Sequence, residues 1–196
     1  MSINNILAVY QQATEAEKQE GIAWYKEART FCHDTAKEYS VSIEVVIAVV
    51  SALSPRNKWK TNLKDTITVL EAVRQGKFPE DVKTSTFHRN KEKAFRIIQE
   101  SNSSLVEKSN KTAAFFDNIK AENSLMITVD THANAIYHGE AIHAKRITNK
   151  AYQQISDDYR LVALEVGLKG YQLQAVCWVT WQRLRTTKPT KILVLT

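Results

Sequence analysis

Apolar residues recur at three- and four-residue spacing along almost the whole chain, the period of a helix with one buried face. Residues 3–13 and 14–39 read this way, and in the second stretch Ile22, Tyr25, Ala28, Arg29 and Cys32 share a stripe. Residues 43–53 are apolar on nearly all sides, so this helix belongs in a core, with Ser42 as its N-cap. Pro55 is expected to stop it, because the residue before a proline avoids the helical region. A further helix is predicted over 58–75, ended by Gly76 in a left-handed cap. A polar connection follows, with Pro79 inside it. Helices are then expected over 90–100 and 111–119, with a short helical piece before Glu107. Residues 125–129 form the one stretch that reads as extended. Asp130 closes it and N-caps a helix over 131–138, which Gly139 terminates. The remaining helices fall at 149–155, 158–166 and 171–184, and the tail from Thr186 is basic, then apolar over 192–195. In the last helix Trp178 and Trp181 lie one turn apart and are expected to pack against the N-terminal helices, leaving Arg183, Arg185 and Lys188 on a basic rim.

The pattern predicts an all-α fold. With 196 residues, 43% of them hydrophobic, the chain suits one compact domain or two small lobes sharing a core. No apolar run approaches the roughly 20 residues that span a bilayer. No basic-then-apolar leader opens the chain, so a cytoplasmic protein is expected. The net charge of +6, from 27 Lys and Arg against 21 Asp and Glu, makes a polyanionic partner permissible without proving one. Cys32 and Cys177 both fall inside amphipathic helical patterns and read as small buried apolar residues rather than a disulfide or a reactive thiol. Two cysteines do not supply the four thiolates of an iron–sulfur cluster. No cofactor and no metal are expected.

Candidate chemistry comes from four local patterns in one order. Ala48-Val49-Val50-Ser51-Ala52-Leu53-Ser54-Pro55-Arg56 ends the buried helix in a polar turn. Asn90-Lys91-Glu92-Lys93-Ala94-Phe95-Arg96-Ile97-Ile98 follows. Ser109-Asn110-Lys111-Thr112-Ala113 opens the next helix, and Val129-Asp130-Thr131-His132-Ala133 comes last. In these patterns the chain resembles the helix-hairpin-helix DNA glycosylase superfamily, of the endonuclease III kind. There a similar apolar helix ends in Leu-Ser before a DNA-probing loop, and a Lys-Ala-x-x-Ile-Ile helix precedes the hairpin. The hairpin closes on a Lys-Thr-Ala helix start, and the aspartate of Val-Asp-Thr-His sits about twenty residues later. The resemblance covers residues 43–138. It implies a two-lobed helical fold with the active site between lobes, residues 1–40 and 148–185 completing the second lobe. Monomeric action on DNA in the cytoplasm, at the nucleoid or on phage DNA, is implied as well.

The implied chemistry suits these residue types. Breaking an N-glycosidic bond builds positive charge on the sugar, which a fixed carboxylate stabilises. Asp130 takes that role, and also orients or deprotonates the attacking nucleophile. Lys111 stands where the family carries an amine that attacks the anomeric carbon, forms a Schiff base and permits strand cleavage by elimination. Arg56 falls where the family inserts a loop residue into the gap left by an extruded base. Asn57, Lys58, Trp59, Ser109, Asn110, Thr112 and His132 complete the expected DNA contacts.

Each residue also has a plainer reading. Asp130 serves equally as a helix cap, and Lys111 as a solvated residue or phosphate contact. Arg56, with Lys58 and Lys60, also reads as meeting phosphates only, Trp59 as a core anchor, and His132 as satisfied within its helix. The family's hairpin is usually rich in glycine, which lets backbone N–H groups approach a phosphate. Here Glu107-Lys108-Ser109-Asn110 has none, although Asn110 tolerates a left-handed conformation. The competing readings are a glycosylase-like enzyme of phage DNA hypermodification and a non-catalytic DNA-binding module on the same fold. A metal-dependent hydrolase using Asp130, His132, His138 and His143 is weaker, since their spacing matches no established ligand pair.

Overall fold

The computed structural model describes residues 2–139 and 147–187. Over these residues the chain is all-α, with no β-strand: α1 (Ser2–Gln11), α2 (Glu15–Tyr39), α3 (Ile43–Leu53), α4 (Trp59–Arg74), α5 (His88–Gln99), α6 (Asn110–Lys120), α7 (Thr131–His138), α8 (Asn149–Glu165) and α9 (Gly170–Thr187). Single 3₁₀ turns occur at Pro79–Asp81 and Ser103–Val106. No helix among the described residues is long and apolar enough to cross a membrane. Lys188, His143 and the apolar run 192–195 lie outside the described residues.

The chain divides into two compact units, Met1–Lys26 with Ala121–Thr196, and Glu27–Lys120. In the second, α3 is the central element. Every residue from Val45 to Leu53 is buried, and α4, α5, α6 and the 103–106 turn all pack on it. Ser42 caps it as expected, its hydroxyl accepting from the Val45 N–H. The helix also ends where expected, but for a different reason. Ser54, the residue before the proline, is itself right-handed helical at φ −68°, ψ −27°. The turn is made one residue after Pro55, where Arg56 adopts φ 57°.

In the first unit, α1, α7, α8 and α9 enclose a core that includes Ile6, Ile136, Tyr159, Leu173 and Trp181. The start of α2 joins them at Gly21. A Cβ built there would stand 2.4 Å from Cα of Val176 and 2.5 Å from its N, so the backbones of α2 and α9 touch where only hydrogen fits. Trp24 meets Trp178 edge-on, with ring centroids 6.2 Å apart. Arg183 does not join a basic rim: its guanidinium grips Glu17 through Nε (2.7 Å) and Nη2 (2.9 Å), and Nη2 also donates to the Gln12 carbonyl.

Two expected elements change. Residues 125–129 form no strand. The Val129 and Asp130 N–H groups turn back to the carbonyls of Ile127 and Thr128, and the segment finds its other partners among side chains. Residues 149–155 and 158–166 are parts of one continuous helix, α8. Ser156 does not break it, because its hydroxyl donates to the Tyr152 carbonyl one turn back, and Asp157 faces outward to pair with Arg160.

Cys32 and Cys177 are both free and buried. Burial pushes the Cys32 thiol up to about 12 and Cys177 still further in the same direction, so neither is a thiolate nucleophile at neutral pH.

The contact at Gly21 predicts that Gly21→Ala lowers stability although alanine is the better helix former. Forcing two backbones apart outweighs a propensity gain of about 1 kcal/mol, for a net loss of about 2 kcal/mol and a Tm lower by roughly 4–8 °C. An unchanged or raised Tm in a calorimetric scan would show that the helices do not meet there. The Glu17–Arg183 pair predicts an acid limb. Hydrogen bonding from Arg183 holds the Glu17 carboxyl down to about 2, against an ordinary 4.5. A depressed carboxylate stabilises the fold above its unfolded value, and that contribution disappears as pH falls from 4.5 towards 2. Solvent reaches Arg183, whose side chain is 40% exposed, so the contribution is about 1 kcal/mol. Glu17→Gln should therefore be less stable than the parent at pH 7 and equal to it near pH 2; denaturant curves that stay parallel over that range would refute the assignment.

Candidate functional site

Asp130 is placed by a loop and a helix start. The buried segment leading to it, Ile127, Thr128 and Val129, is held by side chains from α2, α8 and α9. The Tyr152 hydroxyl donates to the Ile127 carbonyl (2.7 Å) and accepts from the Val129 N–H (3.1 Å). The Tyr25 hydroxyl lies 3.1 Å from both the Thr128 hydroxyl and the Gln174 amide oxygen. Burial raises Tyr152 to about 12, so it serves this bridge as a neutral phenol. Asp130 then caps α7: Oδ1 accepts from the N–H groups of His132 (2.9 Å) and Ala133 (2.8 Å), while Oδ2 takes no hydrogen bond among the described residues. The carboxylate is half-buried. The result is a carboxylate fixed through one oxygen and open at the other. His132 follows, with Nδ1 accepting from Arg185 at 3.3 Å, so a cation stands one residue pair away from the cap.

The other expected residues fall in the second unit. Lys111 is the second residue of α6, half-buried, and its amine makes no hydrogen bond or ion pair among the described residues. Ser109 and Asn110 are exposed. Asn110 is the first helical residue; the left-handed residue of this connection is Ser101, at φ 49°. Thr112 is buried, and its hydroxyl faces the carbonyls of Val106 (2.7 Å) and Ser109 (3.2 Å), fixing the 3₁₀ turn to the helix start.

The Ser54–Asn57 turn is closed by the Asn57 N–H on the Ser54 carbonyl at 3.2 Å. Pro55 suits the first central position. Arg56 occupies the second, where a positive φ favours glycine or asparagine. Its exposed guanidinium lies over the Phe87 ring, 5.6 Å from the centroid. Asn57 is turned inward: its amide donates to Oδ2 of Asp65 at 2.8 Å, and the same oxygen accepts from the Ser85 N–H at 2.9 Å. Asp65 is buried on α4 and so ties the turn to residues 85–87. Lys58 and Lys60 are exposed, and Trp59, half-buried, starts α4.

These ties build one wall of a cavity of about 280 Å³ wholly within this unit, lined by Ala52, Pro55, Arg89, Asn90, Lys93, Val106, Ser109 and Thr112. Arg89 and Lys93 sit one turn apart on α5, and the lining holds no carboxylate. Sequence reading did not find this pair. Two cations at i and i+4 look like a solvated face until the turn at Pro55 and the start of α6 are seen to line one cavity with them. Asp65 and Phe87 were likewise silent.

Lys111 and Asp130 belong to different units. Among the described residues, Glu80, His88 and Glu92 form the one group with metal-ligand chemistry, their ligand atoms within 4.8 Å and all three exposed. It shares no residue with the set built on Asp130.

No curated protein and no solved structure matches the chain. The chain belongs to the Family of unknown function (DUF7178), which it matches over residues 1–185.

Proposed function

We propose that this protein is a DNA glycosylase of helix-hairpin-helix type that cleaves the N-glycosidic bond of a damaged or modified base, with Asp130 as the stabilising carboxylate and Lys111 as the attacking amine. The observation that carries the reading is the state of Asp130. A glycosylase needs an oriented carboxylate with a lone pair facing the substrate, and here two backbone amides orient Oδ1 while Oδ2 accepts no hydrogen bond among the described residues. An unpaired lysine at the start of α6, in Lys-Thr-Ala order, supports the second role. The Lys111 nitrogen lone pair attacks the anomeric carbon, the bond to the base breaks, and the base leaves with the electron pair and takes up a proton. The resulting N,O-acetal opens to an iminium as the ring oxygen leaves the anomeric carbon and takes up a proton, and loss of a proton from the sugar's second carbon expels the 3′ phosphate. The partner implied is DNA, met by a monomer in the cytoplasm. A left-handed Arg56 held out of the turn supports contact with the duplex, because strained residues persist where the surroundings fix them for a task. One observation favours a second reading, a DNA-binding module without chemistry: the turn over residues 107–110 offers no glycine for close backbone approach.

Borohydride trapping on a duplex containing an abasic site separates these readings. The parent should form a covalent adduct that Lys111→Ala abolishes. Asp130→Asn should lower the single-turnover rate about a hundredfold or more. Asparagine remains a good N-cap, so that variant should melt with the parent, which isolates charge from structure. No adduct and no base release with any modified oligonucleotide would leave only the binding module. At the turn, Arg56→Gly should be about 1 kcal/mol more stable than Arg56→Ala, since only glycine is free of Cβ strain at a positive φ. Both should bind DNA more weakly than the parent in a fluorescence-anisotropy titration; equal stability of the two, or parental DNA affinity, would count against the turn's assigned role.

A further inference from the structure

We infer that the cavity between α3, α5 and α6 is a phosphate site, in which Arg89 and Lys93 hold a backbone phosphodiester of the bound nucleic acid by their side chains. The inference deepens the DNA reading and rests on it for the source of the phosphate.

Like charges one helical turn apart repel, and a stabilised fold usually places a carboxylate within reach. Here none is supplied. Neither Arg89 nor Lys93 forms an ion pair or hydrogen bond among the described residues. Glu92, between them in sequence, is turned to His88 at 3.3 Å, and Glu107 is exposed and absent from the lining. The two cations therefore face a cavity of about 280 Å³ with room for a phosphate and part of its sugar. Arginine presents a planar fork to such an oxyanion, and lysine a point charge.

The rest of the wall is fitted to the same ligand. Ser109 lines it with a hydroxyl that makes no hydrogen bond among the described residues, and Thr112 lines it from the first turn of α6, whose N–H end is the positive end of that helix. The Thr112 hydroxyl, by contrast, is held on backbone carbonyls and shapes the wall rather than the ligand. Asn90 is fixed by its amide on the Thr86 hydroxyl at 3.0 Å, which in turn reaches the Pro55 carbonyl. Ala52, Pro55 and Val106 add apolar surface to the lining, against which the face of a sugar can pack. The placement also answers the missing glycines. Where the turn at 107–110 has no glycine, the charge for a phosphate comes from the neighbouring helix instead.

The test uses the full chain, with Arg89→Gln and Lys93→Gln made singly and together. Neither side chain is buried, so a thermal melt should match the parent. Anisotropy titrations use a duplex carrying a tetrahydrofuran abasic analogue across a salt series. The double variant should bind roughly tenfold more weakly, and the slope of log affinity against log salt should fall by about 1. Unchanged affinity and slope would overturn the proposal, whatever becomes of catalysis. Conversely, weakened binding with no borohydride adduct in the parent would keep the phosphate site and dismiss the glycosylase. Inorganic phosphate and a nucleoside monophosphate are titrated in parallel. If they bind the parent and not the double variant while DNA binds neither, the site holds a free phosphate and the nucleic-acid source is wrong; if nothing binds, the cavity holds no phosphate.

Discussion

Backbone N–H and C=O groups that no helix or ladder pairs must find other partners, and residues 121–130, buried at Ser124 and from Ile127 to Val129, do so. Besides the short backbone bonds from Ser124, Val129 and Asp130, the partners are side chains. Arg160 donates to the Leu125 carbonyl, Lys169 and Tyr171 to that of Glu122, and Tyr152 bridges Ile127 and Val129. Each donor comes from α8 or from the start of α9, so both must be in place before the segment can be buried. Asp130 inherits this order. Its backbone is fixed from behind by the bridged loop and its carboxylate from ahead by α7, so the direction of Oδ2 follows from packing rather than from any contact of its own.

The second unit solves a different problem. A helix buried along nine consecutive residues, Val45 to Leu53, has to emerge somewhere, and it emerges through Pro55 and a left-handed Arg56. A positive φ costs a non-glycine residue about 1 kcal/mol, and the cost recurs in every folded molecule. Glycine would remove it and would also remove the guanidinium above Phe87. The buried Asp65 shows that the conformation is enforced: with one oxygen it holds both Asn57 and the Ser85 backbone, so the turn is clamped against the connection that leads into α5.

Much of this was legible in the chain. The caps at Ser42 and Asp130, the left-handed glycines at 76 and 139, and the fully apolar α3 are local signals, each set by a few adjacent residues. What escaped reading depends on which partner a side chain takes, in most cases one far away in sequence. Val-Asp after Leu-Met-Ile-Thr alternates as a strand does, and only the arrival of Tyr152, Arg160 and Tyr171 makes a buried loop possible there. Ser156 and Asp157 look like a break between helices until one hydroxyl is seen to turn back on Tyr152 and one carboxylate to meet Arg160. Arg183 reads as a rim cation, but Glu17, distant in sequence, claims it. Candidate site residues on the four motifs could be named in advance. The cavity around Arg89 and Lys93 could not, since its walls come from three separated segments.

On the DNA reading proposed above, that division bears on how such a function is kept as the turns of a fold diverge. Backbone recognition of a phosphate demands a particular turn and the glycines to make it, so it disappears with a few substitutions. Side-chain recognition demands only two cations on a helix whose position is fixed by the core, here α5, packed on α3 through Ala94, Phe95 and Ile97. The second device survives changes in the turn that would abolish the first. Asp130 obeys the same logic. As an N-cap its first oxygen serves the helix whether or not the residue does chemistry, so folding keeps the side chain in place, and the second oxygen is available to a reaction at no structural cost. A site assembled from groups that the fold already requires can be retained while everything around it drifts.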